Sequence, residues 1–334
     1  DVTIGGMATC VRLREGGAAC GADAVTPNAA LAGATQIAIG AGHSCARVTG
    51  DTAVCWGENA HGEIGDATQT ARKAPTPVLG LTAVAEVAAG NGFSFARHAD
   101  GSIKSWGRND FGQLGDATKG DRARPVQVPA LAQVWQVAAG DAFACARLND
   151  GTVRCWGKND RRQLGDIGDP SATKAARAAV TVDKRSVPVA VNGVADVVQL
   201  ALGAQHACAL SKDGSVRCWG AGDHGQNGGA ADRPTAAKID GLSPIAEIAA
   251  GGAHTCARPY KGDVVCWGAN DAGQLGDGTT SDRAKPAPVA GTADAVQIAA
   301  GASRTCARMS NGTVSCWGKA FGPTPAPLPV TPNP

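Results

Sequence analysis

Twelve cysteines fall into six pairs of one spacing, C-x9-C: Cys10/Cys20, Cys45/Cys55, Cys145/Cys155, Cys208/Cys218, Cys256/Cys266 and Cys306/Cys316. A seventh copy runs from Phe95 to Ser105 and lacks both cysteines together. Joint loss marks the two positions as partners, so each pair reads as a disulfide. Zinc is the weaker reading, because C-x9-C lacks the close C-x2-4-C spacing of a metal site.

The same segments carry a longer period. Trp56, Trp106, Trp156, Trp219, Trp267 and Trp317 follow the second cysteine position at separations of 50, 50, 63, 48 and 50 residues. The first copy is cut short and reads Cys20-Gly21-Ala22. Seven units result, and at this period a chain builds a propeller or a solenoid. Within a unit, Cys145-Ala-Arg-Leu-Asn-Asp-Gly-Thr-Val-Arg-Cys155 folds about Asp150 into a hairpin that sets Cys145 opposite Cys155. Gly16, Gly101, Gly151, Gly214, Gly262 and Gly312 suit the left-handed backbone of its turn. Opposed strand positions meet the distance limits of a disulfide, and each clip is worth about 2–3 kcal/mol. Pro325-Ala-Pro-Leu-Pro-Val330 matches the segments at Pro75 and Pro286. The expectation is that this last segment, near 325–331, completes the first unit, closing the ring with both termini in one blade. No polar caps of an open solenoid are visible at either end. Residues 1–334 therefore read as one all-β, seven-bladed propeller domain with intra-blade hairpin disulfides.

Composition bounds the partners. A formal net charge of +2 gives no bulk attraction for nucleic acid or a membrane surface, and no apolar run has the length of a membrane span. Evenly paired cysteines point to an oxidising compartment, so the expected location is secreted, periplasmic or cell-surface. The start at Asp1, without Met, fits either a processed mature protein or a trimmed chain. No cofactor motif is present, and the chain reads as a monomer.

The segments Gly-x-x-His-Thr-Cys-Ala, Asp-Gly-x-Val-x-Cys-Trp-Gly and Asn-Asp-x-Gly-Gln-Leu-Gly-Asp-Gly-Thr resemble the repeats of the regulator of chromosome condensation (RCC1) family. Residues 266–279 match closely, and the resemblance covers essentially the whole chain. It implies a seven-bladed propeller with four-stranded blades. Family members include a nuclear exchange factor for a small GTPase that also binds chromatin, and a secreted bacterial β-lactamase inhibitor. The cysteine pattern and the lack of a basic arm favour a secreted bacterial type. Fold leaves function open, because function belongs to the site.

Residues that recur in every unit read as structural. Gly57, Gly107, Gly157, Gly220, Gly268 and Gly318 are assigned to tight turns. Asp66, Asp116, Asp166 and Asp277 either ring a cation or bond their own loops, and the second is favoured. Arg12, Arg47, Arg97, Arg147, Arg258 and Arg308 either ring an anion or pair locally, with local pairing favoured.

Positions that vary are the candidates for binding. Two residues before the first cysteine stand Ala8, His43, Phe93, Phe143, His206, His254 and Arg304. Two after the tryptophan stand Glu58, Arg108, Lys158, Ala221, Ala269 and Lys319, and three further on His61, Phe111, Arg161, His224 and Ala272. Hairpin geometry brings the three sets to one face, with the Phe, His and Arg composition of an interface core. The alternative for the histidines is that they satisfy loop backbone, and for the phenylalanines that neighbouring loops cover them. An insertion within 167–187, carrying Lys174, Arg177, Lys184 and Arg185, is either a recognition loop or a tolerated excursion. Asn311-Gly-Thr is a glycosylation sequon at a hairpin tip.

The leading function is therefore a secreted or surface binding propeller that docks a protein partner as inhibitor, adhesin or adaptor. A glycan-binding propeller is the alternative, with Trp135 as the one tryptophan outside the repeat. An enzyme with a site in the central funnel is the third reading, although no nucleophile elbow, H-E-x-x-H or phosphate loop is present.

Overall fold

The computed structural model describes residues 1–6, 8–13, 17–22, 24–129, 131–166 and 183–329. These form seven four-stranded antiparallel sheets and one 3-10 turn, Ala29–Leu31. Each sheet uses four consecutive strands. The second, for example, is β5 (Ala34–Ile39), β6 (His43–Val48), β7 (Thr52–Gly57) and β8 (Arg72–Pro77), in that order. The first strand of each sheet touches the first strands of its neighbours all the way round, so these strands line a central channel.

The sheets act as blades because their second strands are buried on both faces. His43–Val48 and its counterparts are almost wholly buried, since a neighbouring blade covers each side. Seven apolar clusters occupy the seven blade boundaries. Cys145 and Cys155 of the fourth blade face Ala207, Ala209 and Trp219 of the fifth. At five of the seven boundaries a disulfide thus fills one side and small alanines beside a tryptophan fill the other; the third–fourth boundary has no disulfide and the seventh–first no tryptophan.

All six expected disulfides form: Cys10–Cys20, Cys45–Cys55, Cys145–Cys155, Cys208–Cys218, Cys256–Cys266 and Cys306–Cys316. Each joins directly opposed residues of one hairpin, with Cα–Cα distances of 4.0–4.2 Å. That is the close spacing of a non-hydrogen-bonded antiparallel pair. In the third blade Phe95 and Ser105 are opposed in the same register. Phe95 takes the disulfide's place against the next blade, its ring edge-on to Trp156 at 5.7 Å. Ser105 Oγ donates to the Leu114 carbonyl at 2.8 Å, so the site stays filled and satisfied.

Two expectations are corrected. The first blade does not borrow its fourth strand. β1 (Val2–Gly5), β2 (Ala8–Arg12), β3 (Ala18–Gly21) and β4 (Thr26–Asn28) complete it, with Cys20 paired to Thr26 and Ala18 to Asn28. The C-terminal strand Gly322–Pro327 instead pairs within the seventh blade, Cys316 with Ala326. The short connection after β3 lets the chain fill its own edge, so closure rests on non-covalent contacts between first and last blades. The Gln297 side chain accepts from Val2 N–H (3.1 Å) and donates to the Val2 carbonyl (3.2 Å). Val25 N–H donates to the Pro329 carbonyl at 3.1 Å. The second correction concerns the glycines after the tryptophans. They lie at or next to the ends of third strands, at a register shift, with φ of 91–113°, and a Cβ at Gly57 would lie 2.5 Å from the Gly42 carbonyl. They are bulge glycines, not turn glycines.

The ring has two distinct faces. On the long-loop face lie the turns between first and second strands and the loops between third and fourth. On the hairpin face lie the hairpins between second and third strands and the links between blades.

Candidate functional site

On the long-loop face, the six residues two before the first cysteine position that were expected to meet a partner are buried. Phe93, Phe143, His206 and His254 are 0% exposed, and His43 and Arg304 are 3% exposed. They reach sideways instead of outward. His43 Nε2 lies 2.7 Å from Ser94 Oγ in the next blade, His206 Nε2 2.8 Å from Thr255 Oγ1, and His254 Nε2 2.8 Å from Thr305 Oγ1. Arg304 Nη1 donates to Thr9 Oγ1 at 3.3 Å and also to the Ala22 carbonyl. Where the reaching residue is phenylalanine, the next blade offers alanine: Phe93 packs with Ala144 and Phe143 with Ala207. These residues latch blades together and present nothing to a partner.

The paired cysteines belong to the same boundaries and to neither face. Cys55, Cys218 and Cys266 are fully buried, as are their partners Cys45, Cys208 and Cys256. Each pair sits inside one apolar cluster, against the tryptophan of the following blade: Trp106, Trp267 and Trp317 respectively. Their part is to fill and cross-link the core, and no partner can reach them.

The outer set on the long-loop face also bridges blades. His61 Nδ1 lies 2.7 Å from Asp121 Oδ2, and His224 Nδ1 2.7 Å from Asp282 Oδ2. Arg161 forks onto Asp232 at 2.7 and 2.9 Å. The aspartates also accept their own loops' N–H groups, from Asn109 and Asn270 at 2.8 Å. Bonding to Asp282 raises the His224 pKa. Phe111 is half-buried, with the ammonium groups of Lys158 and Lys184 at 5.2 and 5.9 Å from its ring centre. Arg108 pairs with Asp110 at 2.7 Å and Lys158 with Asp160 at 2.8 Å.

The recurrent aspartates are held by their own loops. Asp116 Oδ1 accepts from Thr118 N–H (3.0 Å) and Oγ1 (2.6 Å), and Oδ2 pairs with Arg122 Nε at 2.9 Å. Asp66 and Asp277 repeat this pattern with Arg72 and Arg283. Thr and Arg bonds hold these carboxyls below their ordinary pKa against the opposing effect of burial. Asp166 pairs with Arg185 at 2.7 Å, as Asp66, Asp116 and Asp277 pair with their own arginines. Lys174, Arg177 and most of the inserted loop lie outside the described residues. Among the described residues no cluster of His, Cys, Asp and Glu is placed to hold a metal.

The hairpin face carries a feature that sequence reasoning missed. In six of the seven blades a register shift near the start of the first strand leaves one residue on the funnel side: Thr35, Trp135, Val198, Ala246 and Val296, with Ala85 at the equivalent place. Trp135 is 61% exposed there. The next residue in each strand clamps the neighbouring blade. The Gln36 amide accepts from Val87 N–H (2.9 Å) and donates to its carbonyl (3.2 Å), and Gln136 does the same with Leu200 (2.8 and 3.0 Å). In the third and sixth blades the clamp is Glu86 or Glu247, which accepts from the neighbour and leaves charge for Arg97 (2.9 Å) or Arg258 (3.0 Å). A cavity of about 440 Å³ opens here, lined by Gln36, Glu86, Trp135 and three of the recurrent arginines, Arg47, Arg97 and Arg147. At the other end of the channel a ring of alanines and glycines bounds about 210 Å³. There a Cβ on Gly251 would lie 2.2 Å from the Gly301 carbonyl.

Comparison with known proteins places this arrangement. One model of the regulator of chromosome condensation (RCC1) repeat matches residues 34–63, 84–113, 136–163, 197–226 and 245–274, and another matches 55–97, 100–147, 150–210 and 261–308. No curated protein sequence matches the chain. Among solved structures, Prp20p from Saccharomyces cerevisiae is similar at 22% identity and a TM-score of 0.76, over 92% of this chain and 81% of that one. Human WBSCR16 is similar at 23% identity and a TM-score of 0.72, over 83% and 72%. The ectodomain of the Physcomitrella patens receptor kinase CR4 aligns at 16% identity and a TM-score of 0.59, over 95% and 72%. The repeat models cover more than half of the chain, and the residues they match build its hairpins, latches and Asp–Arg loops; the chain belongs to the RCC1 repeat family.

Proposed function

We propose that the chain is a secreted or surface-exposed binding propeller that docks a protein partner on its hairpin face. One observation carries this reading: among the described residues the two most exposed large nonpolar side chains, Trp135 (61%) and Tyr260 (73%), both lie on that face. Val198 and Val296 join Trp135 at the funnel rim. Aromatic side chains of this kind anchor interfaces. On the long-loop face Phe93, Phe143 and three histidines are buried as latches. Protein binding is a known use of the fold, since the structure of Prp20p is described together with its binding to Gsp1p and histones. Six disulfides support an oxidising location.

The experiment is comparative capture. Oxidised wild type, a Trp135→Ala/Tyr260→Ala variant and a Phe111→Ala/Arg108→Ala variant are immobilised and exposed to the same extracellular extract. The reading expects one protein retained by wild type and by the Phe111/Arg108 variant, and lost from the Trp135/Tyr260 variant. The opposite pattern overturns the face assignment and returns docking to the long loops. The exposed Trp135 ring beside polar clamps also has the form of a sugar platform. Retention of a defined glycan on an array, abolished by Trp135→Ala, would favour that second reading.

A further inference from the structure

The funnel cavity is electrostatically lopsided. Among its described lining residues are three guanidiniums, Arg47, Arg97 and Arg147, and one carboxylate, Glu86, so the formal balance is 3 − 1 = +2. Two of the arginines are engaged. Arg97 is paired with Glu86, and Arg47 donates to Thr35 Oγ1 (2.8 Å) and the Ala85 carbonyl (3.3 Å). Arg147 differs. Its clamp residue Gln136 is as uncharged as Gln36, and where Arg47 finds the Thr35 hydroxyl Arg147 meets the Trp135 ring. Arg147 makes one long bond to the Val197 carbonyl, at 3.4 Å, and lies 5.5 Å from the centre of the Trp135 ring. Only 8% of Arg147 is exposed, and its Nε has no partner. Burial depresses its pKa, and Glu86 only partly offsets this. A buried guanidinium N–H without an acceptor is costly; the Nε is sealed off as well as unpaired, so a ligand in the cavity that Arg147 lines supplies acceptors to the terminal guanidinium nitrogens, of which Nη1 has only the long bond to Val197.

We propose that this cavity binds a carboxylate, presented by an acidic peptide segment of a protein partner, with Arg147 as its counter-ion and the Trp135 ring against the adjoining aliphatic stem. The planar guanidinium fork matches a carboxylate. The volume takes one or two side chains and not a folded element. This inference rests on the hairpin-face reading of function and gives that partner its chemistry.

The test titrates the oxidised full chain with the dipeptide N-acetyl-Glu-Glu-amide and with its uncharged twin N-acetyl-Gln-Gln-amide. Binding is read by calorimetry and by acrylamide quenching of Trp135. Saturable binding of the acidic peptide is expected, at least tenfold tighter than its twin. Arg147→Gln should weaken it about tenfold, as expected for a charge-assisted bond, while the exposed control Arg154→Gln leaves it unchanged. Should Arg147→Gln fail to fold, Trp135→Ala at the exposed rim carries the test, with a severalfold loss expected. Equal binding of the twins, no saturable binding, or an equal loss in Arg154→Gln overturns the proposal. Free glutarate or inorganic phosphate binding as tightly as the peptide also overturns it, in favour of a small-anion site. Partner capture is scored separately. Capture that still depends on Trp135 and Tyr260 while the peptide fails removes the carboxylate pocket alone. Peptide binding without face-dependent capture removes the docking reading alone.

Discussion

The imidazole of His43 crosses from the second blade to the third, with Nε2 2.7 Å from the Ser94 hydroxyl and both residues shielded from solvent. Ser94 Oγ donates onward to the Glu63 carbonyl at 3.2 Å, so His43 Nε2 is the donor to Ser94. The Nδ1 lone pair is then buried without a partner, as it is in His206 and His254. Protonation there would create a buried charge. Burial accordingly lowers the pKa of His43 to about 4, His206 to about 3 and His254 to about 4.

Acid should therefore unlatch the ring. The unfolded chain takes up protons near the ordinary histidine value of 6.5, while the folded chain keeps all three rings neutral down to about 4. Stability is full above pH 6.5 and falls as pH drops from there toward 4, because the unfolded state binds up to three more protons. The limiting slope is about 4 kcal/mol per pH unit. The depressed Asp66, Asp116 and Asp277 carboxyls add a loss in the same direction at lower pH, and the raised Glu86 and Glu247 oppose it. Denaturant midpoints recorded between pH 7.5 and 4.5 check this, and a flat profile would refute it.

The latch should be convertible. His206→Phe alone leaves Thr255 facing an apolar ring, and Thr255→Ala alone strands the imidazole N–H. Each should cost about 1–3 kcal/mol. The double variant reproduces the Phe143/Ala207 boundary. It should be less destabilised than the sum of the singles by about 1–2 kcal/mol, read from a double-mutant cycle.

The disulfide sites should behave alike. Denatured, unreduced protein should give no free thiol by colorimetric titration. Replacing Cys145 and Cys155 by Ala and Ser should cost about 2–3 kcal/mol. Replacing them by Phe and Ser copies the Phe95/Ser105 pair and its contact with the next blade's tryptophan. It should recover part of that loss, as a shift in denaturant midpoint.

Chelators should leave the melting temperature unchanged, because the loop carboxylates are held by Arg and Thr. Asp116→Ala should lower stability by about 1–3 kcal/mol by releasing Arg122, Thr118 and Asn109. A melting temperature that falls on adding chelator would show that a cation holds these loops.

Much of this architecture is legible in the residues themselves, because its determinants are local. A ten-residue offset folds Cys145 onto Cys155 about a left-handed glycine, Gly151 at φ 77°, and nothing distant is needed. The period then counts the blades. The Asp–Arg pairs are local as well, since Asp66 and Arg72 belong to one loop. Burial at the blade boundaries is another matter. His43 and Phe93 sit at strand ends, a position compatible with either surface or core, and what covers them comes from the next repeat. The alternation of His with Ser or Thr, and of Phe with Ala, carried that signal about fifty residues downstream. The edge of the first blade likewise depended on whether Thr26–Asn28 turned back to pair, which the matching segment at Pro325 concealed. The bulge that turns Trp135 outward, and the glutamine that leaves Arg147 without a charged partner beneath it, exist only once adjacent blades exchange backbone hydrogen bonds. The repeat, the hairpins and their cross-links follow from the residues alone, because those contacts close within one unit. Which side chains are buried, and which aromatic rings stay exposed, follow from the assembled ring, because they depend on what the neighbouring blade covers.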